Sequence, residues 1–116
     1  MQSLVLDEGI SRRGYRGRLG IIRDILQVAQ DASSAGTRKT HLMYGANLSY
    51  RLLSRYLEEI LRSGLICEGN CRYAITEKGK DFLRIYEDYE KYYTEIERHK
   101  LNLRNGREEL EKMLTC

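Results

Sequence analysis

The middle of the chain, residues 49–76, reads SYRLLSRYLEEILRSGLICEGNCRYAIT. Its first half places apolar side chains at helical spacing and ends at Gly64, and glycine is common directly after a helix. Its second half alternates around Glu68-Gly69-Asn70, which is typical of two short strands joined by a glycine-containing loop. This stretch therefore predicts a helix over residues 49–63, which Ser49 can cap, and directly after it a β-hairpin.

The predicted helix has two chemically different faces. The face that we expect to be buried is an apolar stripe made of Leu52, Leu53, Tyr56, Leu57, Ile60 and Leu61. The polar face begins with hydroxyls and cations and turns acidic only after another turn of helix; its first members are Ser49, Tyr50, Arg51, Ser54 and Arg55. Guanidinium and hydroxyl groups suit hydrogen bonding to phosphates and base edges. The gradient favours a helix that enters a nucleic-acid groove by its N-terminal half, although a solvated amphipathic face shows the same pattern.

Helical periodicity also precedes and follows this stretch. It predicts a first helix over residues 18–32, a short second helix over residues 37–46, and a last helix that opens at Thr76-Glu77 and extends to the C-terminus. Three helices followed by a hairpin is the order of a winged helix-turn-helix domain, in which the third helix enters the major groove of DNA and the hairpin is the wing. Similar orders occur in other folds, so the order alone does not decide between them.

Length and composition limit the class of protein. A chain of 116 residues with 41% hydrophobic and 32% charged residues has room for one modest core, which excludes a two-domain enzyme. No apolar run approaches the ~20 residues of a bilayer span, and the N-terminus lacks the order of a signal peptide, so we expect a cytoplasmic protein without a membrane partner. Residues 1–76 hold 11 Lys and Arg against 7 Asp and Glu, whereas residues 77–116 hold 9 against 10. The basic excess in front indicates a surface that faces a polyanion.

Polar and cationic residues outside the third helix extend the expected contact surface. Those at the start of the second helix and on the wing are Arg38, Lys39, Thr40, Asn70 and Arg72. A helix N-terminus favours phosphate through its free backbone N–H groups and the helix dipole. Arg12, Arg13 and Arg16 belong to a basic N-terminal arm, residues 1–17, that either enters a minor groove or is simply solvated.

Two segments, KTHLMYGANLSYRLLSRYLEEILRSGLI and YAITEKGKDFL, carry a recognisable series of motifs. Through them the chain resembles the archaeal ten-kilodalton winged-helix DNA-binding proteins (the Sso-ten-a group) and related archaeal winged-helix transcriptional regulators. In that family a Thr-His-(aliphatic)-Met-Tyr helix leads to an Asn-Leu-Ser-(aromatic) turn, and a wing ending in Tyr-x-(aliphatic)-Thr-x-Lys-Gly precedes a long helix that dimerises as an antiparallel coiled coil. The resemblance implies regulatory or sequence-tolerant binding of double-stranded DNA by a dimer; the contacts it implies are Thr40, Tyr50, Arg51, Arg55 and Arg72. The Cys67/Cys71 wing and Asn105-Gly106 depart from the family pattern.

The last helix, residues 78–116, has a 4-3 spacing of its own. The predicted seam is Phe82, Tyr86, Tyr89, Tyr93, Ile96, Lys100, Leu103, Arg107, Leu110 and Leu114. Such a seam on a charged helix needs a partner, so we expect a homodimer through it, with the eight uncharged positions as dimerisation residues. An antiparallel pair places Phe82 against Leu114 and avoids stacking Arg107 on itself. Asn105-Gly106 is a helix-end signal, and a stop there is the alternative to a continuous helix.

The remaining motifs indicate neither a catalytic site nor a metal site. Cys67 and Cys71 face each other if the loop is Glu68-Gly69-Asn70, and either a disulfide or two free thiols then follow. Three cysteines and two distant histidines do not make a zinc site, so we expect no metal and no other cofactor. No nucleophile–base pair, phosphate-binding glycine loop or small-molecule site is evident, and we expect no catalytic residues.

Together these features predict a mainly α protein with a small β-hairpin: a winged helix-turn-helix domain over residues 18–77, then a long helix forming an antiparallel coiled-coil dimer. The expected function is that of a transcriptional regulator or a nucleoid-associated chromatin protein. The alternative is a protein–protein interaction adaptor that uses the same fold and coiled coil without DNA.

Overall fold

The computed structural model describes residues 17–115. Along them the elements are α1 (Arg18–Asp31), α2 (Lys39–Gly45), α3 (Tyr50–Arg62), β1 (Ile66–Gly69), β2 (Arg72–Ile75) and α4 (Glu77–Leu114). The expected fold class, a mainly α winged helix with a long C-terminal helix, is confirmed. The predicted N-terminal arm with Arg12, Arg13 and Arg16 lies outside the described residues, and the predicted domain division at residue 77 stays a prediction.

One aliphatic core joins the first three helices to the hairpin. Its fully buried side chains are Ile25, Leu26, Leu42, Leu53, Ile60 and Ile66. In α3 the centre of the predicted stripe is buried, at Leu53, Leu57 and Ile60, and Leu52, Tyr56 and Leu61 at its borders are half-buried. The burial of this stripe is what forces the opposite side of α3 outward.

The second helix is shorter than predicted, because Thr37 belongs to a β-bridge instead. Its backbone N–H donates to the Tyr73 carbonyl (2.9 Å), and the Tyr73 N–H donates to the Thr37 carbonyl (2.7 Å). Gly36 makes this approach possible: its φ is +93°, and a Cβ there would lie 3.0 Å from the Tyr73 carbonyl oxygen. The wing is therefore tied to the loop that precedes α2.

The hairpin loop is one residue shorter than predicted and ends one residue later. Cys67 pairs with Ala74 and Gly69 with Arg72, which leaves Asn70-Cys71 as a two-residue loop. Both loop residues have positive φ, as the type I′ turn that suits the twist of a hairpin requires. Cys67 and Cys71 are consequently not cross-strand partners, and both are free and exposed. The two thiols therefore do not face each other, as they would across a three-residue loop.

The motif Thr76-Glu77-Lys78-Gly79 joins the end of α3 to the start of α4. The Thr76 Oγ1 accepts from the Gly79 N–H (3.0 Å) and donates to the Gly64 carbonyl (2.6 Å). The Lys78 Nζ donates to the Ser63 carbonyl (2.7 Å). Gly79 is buried, and a Cβ on it would lie 2.2 Å from the Leu65 carbonyl oxygen. These contacts cap both helices and fix the direction of α4 relative to α3.

The last helix is continuous across Asn105-Gly106, as the unbroken 4-3 phase favours. It projects well beyond the core and gives a body with principal extents of 73 × 26 × 23 Å. Every residue from 98 to 115 is exposed.

The near half of α4 packs against its own chain. Phe82 lies against the core, and Tyr86 and Tyr93 are only 6% and 4% exposed. Burial, with a smaller contribution from Glu90, raises the pKa of Tyr86 from 10.0 to about 12. Three of the residues predicted for the dimer seam thus have packing partners within one chain.

The raised pKa of Tyr86 predicts a loss of stability at alkaline pH. The folded state holds the phenol proton more tightly than the unfolded chain, so this stabilisation is complete below pH 10 and declines as the pH rises towards 12. Relative to Tyr86→Phe, we expect the wild type to lose unfolding free energy over that interval, measured by urea unfolding at several pH values. A constant difference between the two proteins across the interval would contradict this account.

Candidate nucleic-acid interface

The N-termini of α2 and α3 meet at one surface. The Lys39 Nζ lies 4.4 Å from the centre of the Tyr50 ring and donates to its hydroxyl (3.2 Å). A cation held over an aromatic face in this way is favourable by roughly 0.5–1 kcal/mol at an exposed site. Tyr50 itself is 60% exposed. The pair brings a positive charge from α2 to the start of α3, which the sequence did not indicate.

Ser49 sets the start of α3. Its Oγ accepts from the Leu52 N–H (3.1 Å), which is the capping interaction predicted for this residue. The two arginines that follow on the first two turns, Arg51 and Arg55, are exposed. Within residues 17–115 neither makes a salt bridge or a side-chain hydrogen bond. Two guanidinium groups one turn apart are therefore free for an external anion.

The acidic end of α3 is partly neutralised by α1. The Arg18 guanidinium forms an ion pair with Glu59, and the side chain of Glu59 is 28% exposed. Arg18 also lines a shallow depression together with Arg55 and Tyr56. No spacing in the sequence connects residues 18 and 59, so only the packing of α1 on α3 reveals this pair. The Glu59 carboxylate, one turn after Arg55, is therefore already paired with a cation.

Two predicted contacts are placed differently from the rest. The Ser54 Oγ is buried and lies on the inner edge of the exposed face of α3. Arg72 is half-buried, and its Nη1 donates to the Gly36 carbonyl (3.2 Å), so it braces the wing. Asn70, at the tip of the wing, and both Arg38 and Thr40, at the start of α2, are exposed.

The surface that results is rich in positive charge. Its cations are Arg38, Lys39, Arg51 and Arg55, all near two helix N-termini where backbone N–H groups point outward. Among the described residues no group of three His, Cys, Asp or Glu could hold a metal ion. In the same part of the chain, no helix is both long and apolar enough to span a bilayer.

A protein-family model described as "Winged helix-turn-helix" matches residues 15–94, which span α1, α2, α3, the hairpin and the first half of α4. This chain belongs to the winged helix-turn-helix family. In the terms of that fold, α3 is the recognition helix and the β1–β2 hairpin is the wing.

Similar known proteins support an archaeal branch of the family. An uncharacterized protein of Methanocaldococcus jannaschii is 31% identical over 81 residues, which cover 69% of this chain and 80% of that protein. The crystal structure of Sso10a-2, a DNA-binding protein from Sulfolobus solfataricus, matches with 28% identity and a TM-score of 0.54, covering 87% of this chain and 99% of that one. A Listeria innocua protein of unknown function has a TM-score of 0.56 at 14% identity, covering 92% of this chain and 83% of that one, and it shows the fold alone.

Proposed function

We propose that this winged-helix protein binds double-stranded DNA, with the recognition helix α3 in the major groove and the start of α2 on the adjacent backbone. The observation that carries the proposal is the pair Arg51 and Arg55, which are exposed on the N-terminal half of α3. Arginine forms bidentate hydrogen bonds with guanine edges and with phosphates. The similarity to Sso10a-2, a DNA-binding protein, supports the same function.

The wing has a smaller part in this proposal than in the prediction from sequence. Arg72 is engaged by Gly36, so Asn70 at the tip is the wing residue left to contact the backbone. The cationic contacts then come from α2 and α3, with Thr40, Ser49 and Tyr50 as neighbouring hydrogen-bonding groups.

The protein acts as a homodimer through α4 in this proposal, because the exposed apolar residues of its far half have nothing to cover them within the described chain. A dimer carries one recognition helix on each winged-helix domain, so it can span two half-sites or bridge two duplexes. Both a transcriptional regulator and a nucleoid-associated architectural protein use such an arrangement. The net charge of only +3 favours a regulator over an abundant protein that coats chromatin.

The experiment that tests DNA binding is a titration of random-sequence and genomic duplexes at two salt concentrations. If Arg38, Lys39, Arg51 and Arg55 each neutralise one phosphate, the affinity of one domain falls about 100-fold between about 50 and about 200 mM salt. Fluorescence anisotropy of a labelled duplex measures this directly.

The result also separates DNA binding from the adaptor alternative. An adaptor protein with the same fold shows no duplex binding at the lower salt concentration, or weak binding that does not depend on α3. Either result would contradict the proposal.

A further inference from the structure

A groove with a volume of about 400 Å³ lies between α1 and the first half of α4. Side chains of both helices form its walls, and they include the buried ring of Tyr86 and the half-buried Leu83. Sites for small ligands usually have volumes of roughly 300–1,000 Å³. The residues assigned above to the DNA contact do not line this groove, so a ligand in it would be separate from the DNA.

The two helices run in opposite directions along the groove. Gln30, near the end of α1, and Lys80, near the start of α4, both line the groove and a second depression beside the wing. At the other end Arg23 lies close enough to Tyr86 for its charge to act on the phenol, although burial has the larger effect on the pKa of Tyr86. The position of a residue along α4 therefore tells which end of the groove it borders.

The charged side chains that α4 contributes are divided by sign. Lys80 and Arg84 come first along the helix, and Glu87 and Glu90 follow them. All four side chains are exposed. The centres of the two pairs lie about 10 Å apart along the helix, at a rise of about 1.5 Å per residue. The groove therefore has a positive end and a negative end.

The charges at the positive end are only weakly engaged by the chain itself. The Lys80 Nζ lies 3.3 Å from a Glu77 carboxylate oxygen, and the Arg84 guanidinium lies 2.7 Å from an Asp81 oxygen. Both acidic partners are exposed and precede the cations by one turn of the same helix. Exposed ion pairs of this kind contribute about 0–1 kcal/mol, so both cations can turn to a ligand at little cost.

The charges at the negative end have no ion-pair partner. Within residues 17–115 neither Glu87 nor Glu90 forms a salt bridge. The cation that α1 contributes to the groove, Arg23, is paired with its neighbour Asp24 at 2.9 Å. Like charges three or four residues apart destabilise a helix, and both pairs on α4 have this spacing. A ligand with one charge of each sign would compensate both pairs.

From this division of charge we propose that the groove binds a small zwitterion whose opposite charges lie about 10 Å apart, as in a peptide of three residues. The ligand carboxylate contacts Lys80 and Arg84, and the ligand ammonium contacts Glu87 and Glu90. The exposed amide of Gln30 is beside the positive end for a peptide carbonyl. The proposal does not depend on DNA binding, because it uses none of the residues of that contact.

Trialanine is the probe, and isothermal titration calorimetry of the full chain at low salt measures its affinity. Low salt is chosen because salt screens charges at a surface. Three related compounds each lack one feature: N-acetyl-trialanine has no ammonium, trialanine amide has no carboxylate, and L-alanine is too short to reach both ends. We expect each of them to bind at least ~10-fold more weakly than trialanine, since hydrogen bonds to charged groups are the strong ones.

Glu87→Gln combined with Glu90→Gln tests the negative end of the groove. We expect this variant to bind trialanine at least ~10-fold more weakly than the wild type, and to bind N-acetyl-trialanine as the wild type does. Asp88→Asn combined with Glu95→Gln is the matched control, because it removes two carboxylates from exposed positions of α4 that do not line the groove. Circular dichroism checks that both variants fold.

Each contrary result has a definite meaning. A wild-type chain that binds no trialanine at millimolar concentration would overturn the proposal, as would equal binding of the four compounds. Equal affinities of the Glu87/Glu90 variant and its control for trialanine would remove the assignment to this groove. A wild-type chain that binds trialanine but no duplex would overturn the proposed function and retain this site.

Discussion

Gly79→Ala is expected to lower the free energy of unfolding by about 3 kcal/mol, at the upper end of the usual cost of overpacking. A Cβ at this position would lie 2.2 Å from the Leu65 carbonyl oxygen and 2.6 Å from the Ile75 Cγ1. The first of these is backbone that follows the recognition helix, so it cannot move aside without displacing α3 or α4. A shift of the backbone at residue 79 would also strain the 3.0 Å bond from the Gly79 N–H to the Thr76 Oγ1.

Gly69→Ala is the matched control for this substitution. Gly69 has no atom within 4 Å of the position of an added Cβ, so the same chemical change there meets open space. Urea unfolding followed by circular dichroism should show a large shift of the midpoint for Gly79→Ala and little change for Gly69→Ala. Equal stability of the two variants would show that the junction is not packed as described.

The contacts between the end of α3 and the start of α4 give a physical reason for the motif Thr76-Glu77-Lys78-Gly79. From the sequence alone, this motif was only part of a family resemblance. Thr76 caps α4 and bonds the end of α3, Lys78 bonds the same end, and Gly79 permits the close approach. Each residue type is needed because the end of α3 and the start of α4 pack closely together, although the hairpin separates them in sequence. Nothing in the local sequence shows that Gly64 and Ser63 are the partners, since the bonds cross the hairpin.

The elements whose signals are local could be predicted from the sequence. The burial stripe of α3, its Ser49 cap and its end at Gly64 depend on residues within one helix, and the structure has them as expected. Two other features were predicted less accurately from the sequence: the start of α2 and the position of the hairpin loop. Thr37 is withdrawn from the helix by Tyr73, a partner far along the chain.

The dimer seam shows the same limit on a larger scale. Tyrosine occurs nine times in this chain, and four of the tyrosines lie in the first half of α4. Two overlapping 4-3 patterns can be drawn there, one through Tyr86 and Tyr93 and one through Ile85 and Tyr92. Periodicity alone does not choose between them. The choice depends on which face α1 and the core already occupy, and the burial of Tyr86 and Tyr93 supplies that information.

The candidate nucleic-acid interface could likewise be predicted only in part from the sequence. Exposure of Arg51 and Arg55 follows from the amphipathic pattern of α3, and the structure bears it out. The inward position of the Ser54 oxygen and the bond between Arg72 and Gly36 depend on tertiary packing. The ion pair of Arg18 with Glu59 likewise joins two helices that are distant in sequence.

Arg51→Ala combined with Arg55→Ala is expected to reduce duplex affinity about 100-fold, because each arginine contact with a base edge or phosphate contributes roughly 1–3 kcal/mol. The salt dependence should also become shallower by about one unit of slope for each phosphate contact that is lost. Both side chains are exposed and make no hydrogen bond within the described residues, so the fold and the dimer should be unaffected.

Arg84→Ala combined with Lys91→Ala is the control for charge. It also removes two positive charges, from exposed positions of α4 that lie outside the proposed DNA contact. A general electrostatic attraction to DNA would weaken equally in the two double variants. Binding through α3 would instead weaken only in the Arg51/Arg55 double variant.

The most direct measurement is a fluorescence anisotropy titration of one labelled duplex with the wild type and these two double variants, at a fixed low salt concentration. We expect about a 100-fold loss of affinity for the Arg51/Arg55 variant and wild-type affinity for the Arg84/Lys91 variant. Equal binding by the wild type and the Arg51/Arg55 variant would contradict the assignment of α3 as the helix that binds DNA.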